Sequence, residues 1–302
     1  MKKKLPDFLI VGAAKSGTTS LHNYLNQHPD IFMPTFNADG VNVKEPQFFV
    51  KQKVINKIHF GIWDWGEYKD LFKQAQNHQI IGEASVFYLY YYEEAIKNIK
   101  RYLNSEIKII IILRNPVDRA FSAYTHVSRN LKENNSFEES LAIEGGRMER
   151  EEGLTPMVMY KGMGLYYKMV NAFFESFNNV HIILYDDFLE NTESELKKVF
   201  GFLNLNRNPV IDYETKYNVG GLRWKTPVIK KLLLNNSVIK INVNKYISQK
   251  NIKYIWRFIS YVFKSKSVEM NSSTKEDLIR FYEQDIIKLS KLINRDLSLW
   301  LR

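Results

Sequence analysis

Between Gly12 and Ser20 the chain reads GAAKSGTTS, a small-residue loop carrying one lysine and several hydroxyls. Gly12 and Gly17 let the backbone turn tightly, so that its N–H groups converge. A helix beginning at the second glycine adds unpaired amide donors and the positive end of its dipole. Lys15 contributes a point charge, and Ser16, Thr18 and Thr19 contribute hydroxyls. This chemistry is anion binding, and a doubly charged phosphate suits it. Two further spots carry chemistry of their own. Arg114, at the end of an apolar run, offers a fork of N–H donors matched to a phosphate. Lys44 and Glu45 place a carboxylate beside an ammonium that favours its ionised form.

The elements that must hold these residues follow from hydrophobic patterning. Phe8 to Val11 is a short apolar strand, and the helix after the loop runs from Gly17 through Asn26. Ile107 to Leu113, IKIIIIL, is a continuous β-branched run of the kind found at the centre of a parallel sheet covered on both faces. Ile80 to Ser85 and Val180 to Tyr185 are further buried strands, and Asp30 to Met33 is a short one. Helices are expected over Glu93–Leu103, from Pro116 to about Leu131, over Tyr160–Phe177 and Thr192–Leu203, and finally over Lys275–Leu292. The fold class is therefore α/β, a central parallel sheet flanked by helices, and open sheets of this kind bind ligands at the carboxyl ends of their strands. Lys51 to Asn77 is rich in aromatics that serve either an acceptor lining or the core. Leu131 to Glu152 is polar and reads as a surface excursion.

Composition bounds the rest. The 302 residues, 45% hydrophobic and 25% charged, fit one domain over 1–302, without repeats or low-complexity linkers. There are no cysteines, which excludes disulfides, thiolate metal sites and a thiol nucleophile. Pro6 and Asp7 interrupt the signal-like start, and no stretch approaches the roughly 20 apolar residues that span a bilayer. A cytoplasmic location is the expectation. The net charge of +10 is more than accounted for by Thr215 to Val268, where twelve basic residues meet no acid. Lysines alternate there with apolar residues at helical spacing, so a basic helical insertion is expected over about 228–268. Such a block favours an anionic partner: a nucleotide, an acidic glycan or an anionic membrane surface, with nucleic acid not expected.

The two glycines have the spacing of a Walker A loop, but that loop needs lysine where this chain has Thr18. The segment K-S-G-T-T-S after a strand instead resembles the 5′-phosphosulfate loop of sulfotransferases that use 3′-phosphoadenosine 5′-phosphosulfate (PAPS). L-R-N-P-V-D-R-A-F-S, containing Arg114 and Ser122, resembles the 3′-phosphate motif of the same family. K-E-P-Q-F-F, Lys44 to Phe49, resembles an element of its heparan sulfate and carbohydrate branch.

The resemblance implies roles. Lys15, Ser16, Gly17, Thr18, Thr19 and Ser20 would hold the 5′-phosphate, and Arg114 with Ser122 the 3′-phosphate. Gly221, Leu222 and Arg223, in Y-N-V-G-G-L-R-W-K-T, resemble a late loop folding over the donor, with Lys225 as the other basic choice. Glu45 would be the general base that takes the acceptor's proton, and Lys44 would touch the sulfonyl oxygens. Glu45, Gln47, Ser85 and Tyr88 are the implied acceptor contacts, the last two in a stretch where Val86 stands in place of a usual proline. Arg119 is expected in a structural ion pair. The implied reaction is in-line sulfuryl transfer from PAPS, without a metal, to a hydroxyl or amine of an acceptor, a glycan or a small hydroxylated molecule. Two other readings stay open. A P-loop kinase or NTPase using Mg-ATP would employ Asp186-Asp187 on magnesium, and a non-catalytic glycan- or membrane-binding module would only retain the fold.

Overall fold

The computed structural model describes residues 4–36, 40–104, 106–129, 133–151, 153–207, 209–213 and 269–302, and the backbone alone of 222–224 and 264–266. Five strands, β1 (Phe8–Gly12), β2 (Ile31–Phe32), β3 (Ile80–Ala84), β4 (Lys108–Leu113) and β5 (Val180–Leu184), form one sheet. Its order is β2-β3-β1-β4-β5 and every pairing is parallel. Outside the basic stretch 228–268, each strand and helix expected from the pattern is present, the helix expected from Tyr160 beginning at Tyr166 after a short 3-10 turn at Gly162–Gly164.

Side chains alternate across the sheet, as strand geometry requires. Leu9, Val11, Ile109, Ile111 and Leu113 enter one core, where helices Tyr92–Tyr102, Pro116–Arg129, Tyr166–Ser176 and Ser272–Ile293 pack. Phe8, Ile10, Ile110 and Ile112 enter the other, with helices Thr18–Leu25 and Thr192–Phe202. Strands buried on both faces read as unbroken apolar runs for this reason.

The order places β1 between β3 and β4, so three carboxyl ends meet at the point where the strand order reverses, and loops leaving them face one crevice. Short hydrogen bonds fix that meeting. Ala13 N–H donates to the Ile112 carbonyl at 2.7 Å, Leu89 N–H to Val11 at 2.8 Å and Ser85 N–H to Ile10 at 3.0 Å.

One expectation is corrected. The segment 131–152 is not wholly a surface excursion, since Phe137 and Leu141 are buried and the buried Arg147 pairs with the buried Glu133 at 2.5 Å. Most of the basic stretch 228–268 lies outside the described residues, but Lys264–Lys266 is extended and pairs antiparallel with Leu222–Trp224. Among the described residues no helix is long and apolar enough to cross a membrane.

Candidate active site

The loop after β1 carries the anion-binding geometry. Lys15 and Gly17 both take positive φ, 70° and 92°. At Gly17 the glycine is required twice over, because a Cβ there would also lie 2.8 Å from the Tyr185 ring. Gly17 caps helix Thr18–Leu25 without a side-chain hydrogen bond, and no acid sits in the first turn. The helix therefore starts with its amides and positive dipole end uncompensated.

Around the loop gathers positive charge. The Arg114 guanidinium donates to the Lys15 carbonyl at 3.3 Å and lies 5.0 Å from the centre of the Tyr185 ring. The Arg114 carbonyl accepts from the buried Tyr166 hydroxyl at 3.1 Å, which fixes the end of β4. Burial, then Arg129 and Arg114, push the Lys15 ammonium down to about 8, against a smaller opposing pull from Glu45. Burial also lowers Arg129, whose Nε has no hydrogen-bond partner among the described residues. None of Lys15, Arg114 and Arg129 has a carboxylate partner within ion-pair distance among the described residues. Clustered, partly desolvated cations without counter-charge are unfavourable until an anion joins them, so the residues present fit a phosphorylated donor.

Ser122 stands two turns into helix Pro116–Arg129, half-buried. His126 and Arg129 follow it at helical spacings of four and three, on the same face. Sequence reasoning missed both, though that spacing from Ser122 was the available signal. His126 is held down to about 4 by burial, then by Lys15 and Arg129.

The carboxylate side of the site is held from both oxygens. Lys44 Nζ donates to Glu45 Oε1 at 2.6 Å, and Gln47 Nε2 donates to Oε2 at 3.2 Å. Gln47 takes φ 55° and its N–H donates to Ser85 Oγ at 2.9 Å. Phe49 N–H donates to the Tyr88 hydroxyl at 3.4 Å. Tyr88 and Tyr68 each donate to Glu83 Oε2 at 3.0 Å. Burial raises the Glu83 carboxyl to about 7, against the lowering effect of its hydroxyl partners.

Glu45 and Gln47 line a cleft of about 520 Å³ together with Thr19, Phe60, Phe87, His126 and Met157. The cleft does not include Ser85 and Tyr88, which are fully buried beneath it. They hold the loop that carries Glu45, because residues at the end of β3 point into the core rather than out of the crevice. Of the aromatic segment 51–77, Phe60 reaches the cleft, while Tyr68 and Phe72 are fully buried and Trp65 stacks on Tyr68.

Other expected residues fall elsewhere. Arg119 is fully buried and donates to the Tyr160 carbonyl; among the described residues it makes no ion pair, so that expectation is corrected. Its guanidinium instead serves the Tyr160 carbonyl and the Met163 sulfur. Asp186 accepts from Trp300 Nε1 at 3.0 Å and Asp187 pairs with Arg295 at 2.6 Å, so both acids tether the C-terminal segment. Both acids are thus engaged by the C-terminal segment, and among the described residues no group of three or more His, Cys, Asp or Glu side chains is placed to hold a metal ion. Gly221 and Lys225 lie outside the described residues, and for Leu222 and Arg223 only the backbone is described, in a strand that approaches helix Pro116–Arg129.

Fold and site together define an α/β protein built around an anion-binding loop at the head of its central strand. The family model described as the sulfotransferase domain matches residues 5–249. A solved sulfotransferase from Alicyclobacillus acidocaldarius is 30% identical, with a TM-score of 0.72 covering 99% of each chain. Heparan sulfate glucosamine 3-O-sulfotransferase 3B1 of Mus musculus is 30% identical over 208 residues, 68% of this chain and 47% of that protein. Bifunctional heparan sulfate N-deacetylase/N-sulfotransferase 3 of Homo sapiens is 38% identical over 125 residues, 41% of this chain and 13% of that one. The chain thus spans less than half the length of these curated relatives. It belongs to the sulfotransferase family.

Proposed function

We propose that this sulfotransferase takes its sulfuryl group from PAPS and delivers it to a hydroxyl, or an amine, of an acceptor seated in the cleft beside Glu45. The observation that carries the donor assignment is the convergence of Lys15, Arg114 and Arg129, which lack described acidic partners, on one loop. A donor with phosphates at both ends supplies the missing negative charge. In this reading Lys15 to Ser20 hold the 5′-phosphate through amides and hydroxyls, and Arg114 with Ser122 holds the 3′-phosphate. The donor, when bound, supplies an activated sulfuryl group with a phosphate leaving group.

The chain's own residues do the rest. Glu45 accepts the acceptor's proton, and its two hydrogen bonds, to Lys44 and Gln47, restrict it to one orientation. Lys15 offsets negative charge on the leaving phosphate side. Lys44, paired with Glu45 at 2.6 Å, stands beside the proton acceptor and is the residue this reading assigns to the sulfonyl oxygens. An acceptor of the carbohydrate class is supported by the relatives named for heparan sulfate.

Differential scanning of the purified protein with 3′-phosphoadenosine 5′-phosphate (PAP) or with Mg-ATP tests the donor. Stabilisation by PAP at lower concentration is expected, and stronger stabilisation by Mg-ATP would return the kinase reading. Glu45→Gln is expected to leave PAP binding intact and to lower turnover by about 10²–10⁴-fold. Unchanged turnover in that variant removes Glu45 from the base role.

A further inference from the structure

We propose that the acceptor is an uncharged hydroxylated molecule with an apolar flank, of the class of alkyl or aryl glycosides, and not a polyanionic glycan. The inference rests on the sulfuryl-transfer reading and narrows it.

The two ends of the site differ in kind. At the nucleotide end, Lys15, Arg114 and Arg129 carry charge with no acidic partner among the described residues. At the acceptor end, Lys44 and Glu45 neutralise each other at 2.6 Å. His126 also faces that cleft, and burial together with Lys15 and Arg129 holds its ring neutral at physiological pH. His59 is the one other titratable side chain on the described wall. The remaining wall is neutral: Ile58, Phe60, Val86, Phe87 and Met157 give an apolar side, while Asn42 and Thr155 give hydrogen-bonding groups without charge.

Phe60 is 36% exposed, so the apolar side continues to the cleft mouth. A carboxylate or sulfate laid against Phe60 and Met157 would lose hydration, and among the described lining residues the one lysine, Lys44, is already paired with Glu45. A neutral sugar carrying an alkyl or aryl group satisfies both sides at once, its hydroxyls on Asn42, Thr155 and Glu45 and its apolar part on the aromatic wall. The volume of about 520 Å³ lies in the range of small-molecule pockets.

The test measures PAP release from PAPS with octyl β-glucoside, methyl β-glucoside, octyl β-glucuronide and an N-acetylheparosan oligosaccharide. Expected is a kcat/KM for octyl β-glucoside about tenfold or more above the other three, since the octyl group adds apolar contact and the glucuronide and oligosaccharide add unpaired charge. Phe60→Lys should remove most of the octyl advantage while PAP still stabilises the variant. Preference for the oligosaccharide or the glucuronide, or equal rates with methyl and octyl glucoside, overturns the inference and leaves the donor reading in place. Absence of product from every acceptor while PAP still binds does the same. Failure of PAP to bind the wild type removes the donor reading, and this inference with it.

Discussion

Arg114 donates to the Lys15 carbonyl at 3.3 Å although the two residues are 99 positions apart. Two cationic motifs that look independent in the sequence are thus one mechanical unit, because β1 and β4 are neighbours and end at the same level. Arg114→Ala is expected to weaken PAP binding by about 10- to 100-fold, the loss of one charge-assisted contact. Adenosine 5′-phosphosulfate, which lacks the 3′-phosphate, should lose much less. Calorimetric titration of both ligands distinguishes the roles: an equal loss for both would mean that Arg114 only shapes the loop.

Lys15 carries a pH dependence of its own. Its folded value near 8 lies below the ordinary lysine value of 10.5, so in the empty site it sheds its proton well before a free lysine does. A phosphate needs the charged form. PAP affinity should be highest between about pH 6, where its phosphates become dianionic, and pH 8, and should decline as pH rises through about 8 with up to a tenfold fall per pH unit. In Lys15→Ala that decline should disappear, and persistence of the same slope would assign it to another group.

A side chain at Gly17 strains the loop. Gly17→Ala brings a Cβ to 2.8 Å from the Tyr185 ring at a φ of 92°, so the loop or the ring must move. Strain of this kind costs on the order of 1–3 kcal/mol. PAP binding should weaken by at least about tenfold, read by titration, while far-ultraviolet circular dichroism stays native. Normal binding by the alanine variant would show that the loop does not need this conformation.

Glu83 predicts a stability effect of opposite sign to that of most carboxylates. Its folded value, about 7, lies above the ordinary 4.5 because burial disfavours the charge. The folded state therefore binds more protons than the unfolded state between those values, and stability contributed by the neutral carboxyl is lost as pH rises from about 4.5 through 7. Glu83→Gln keeps an acceptor for Tyr68 and Tyr88 and removes the charge. The variant should match wild type near pH 5 and exceed it above pH 7, by on the order of 1–3 kcal/mol. Melting temperatures across pH check this, and a variant less stable at pH 8 would mean that the ionised form is the one the network favours.

The strands of the central sheet and the loops that follow them were legible because their signals are contiguous. Phe8 to Gly17 contains, in ten residues, the apolar run, the two glycines and the lysine that together make strand, loop and helix start. Arg114 was legible for the same reason, standing directly after IKIIIIL. His126 and Arg129 share the helical face of Ser122, a local signal, but Lys15 is brought beside them only by the pairing of β1 with β4.

What the amino-acid sequence alone determined is the order of elements, the anion-binding loop and the carboxylate beside Lys44, since each depends on backbone freedom and on neighbours within a few positions. Tertiary structure alone decided which polar groups face the crevice. Ser85 and Tyr88 turn inward to hold the Glu45 loop, Asp186 and Asp187 are engaged by Trp300 and Arg295, and Phe60 reaches the cleft while Tyr68 does not. A side chain's direction at the end of a strand is set by packing against distant parts of the chain, and no local pattern encodes it.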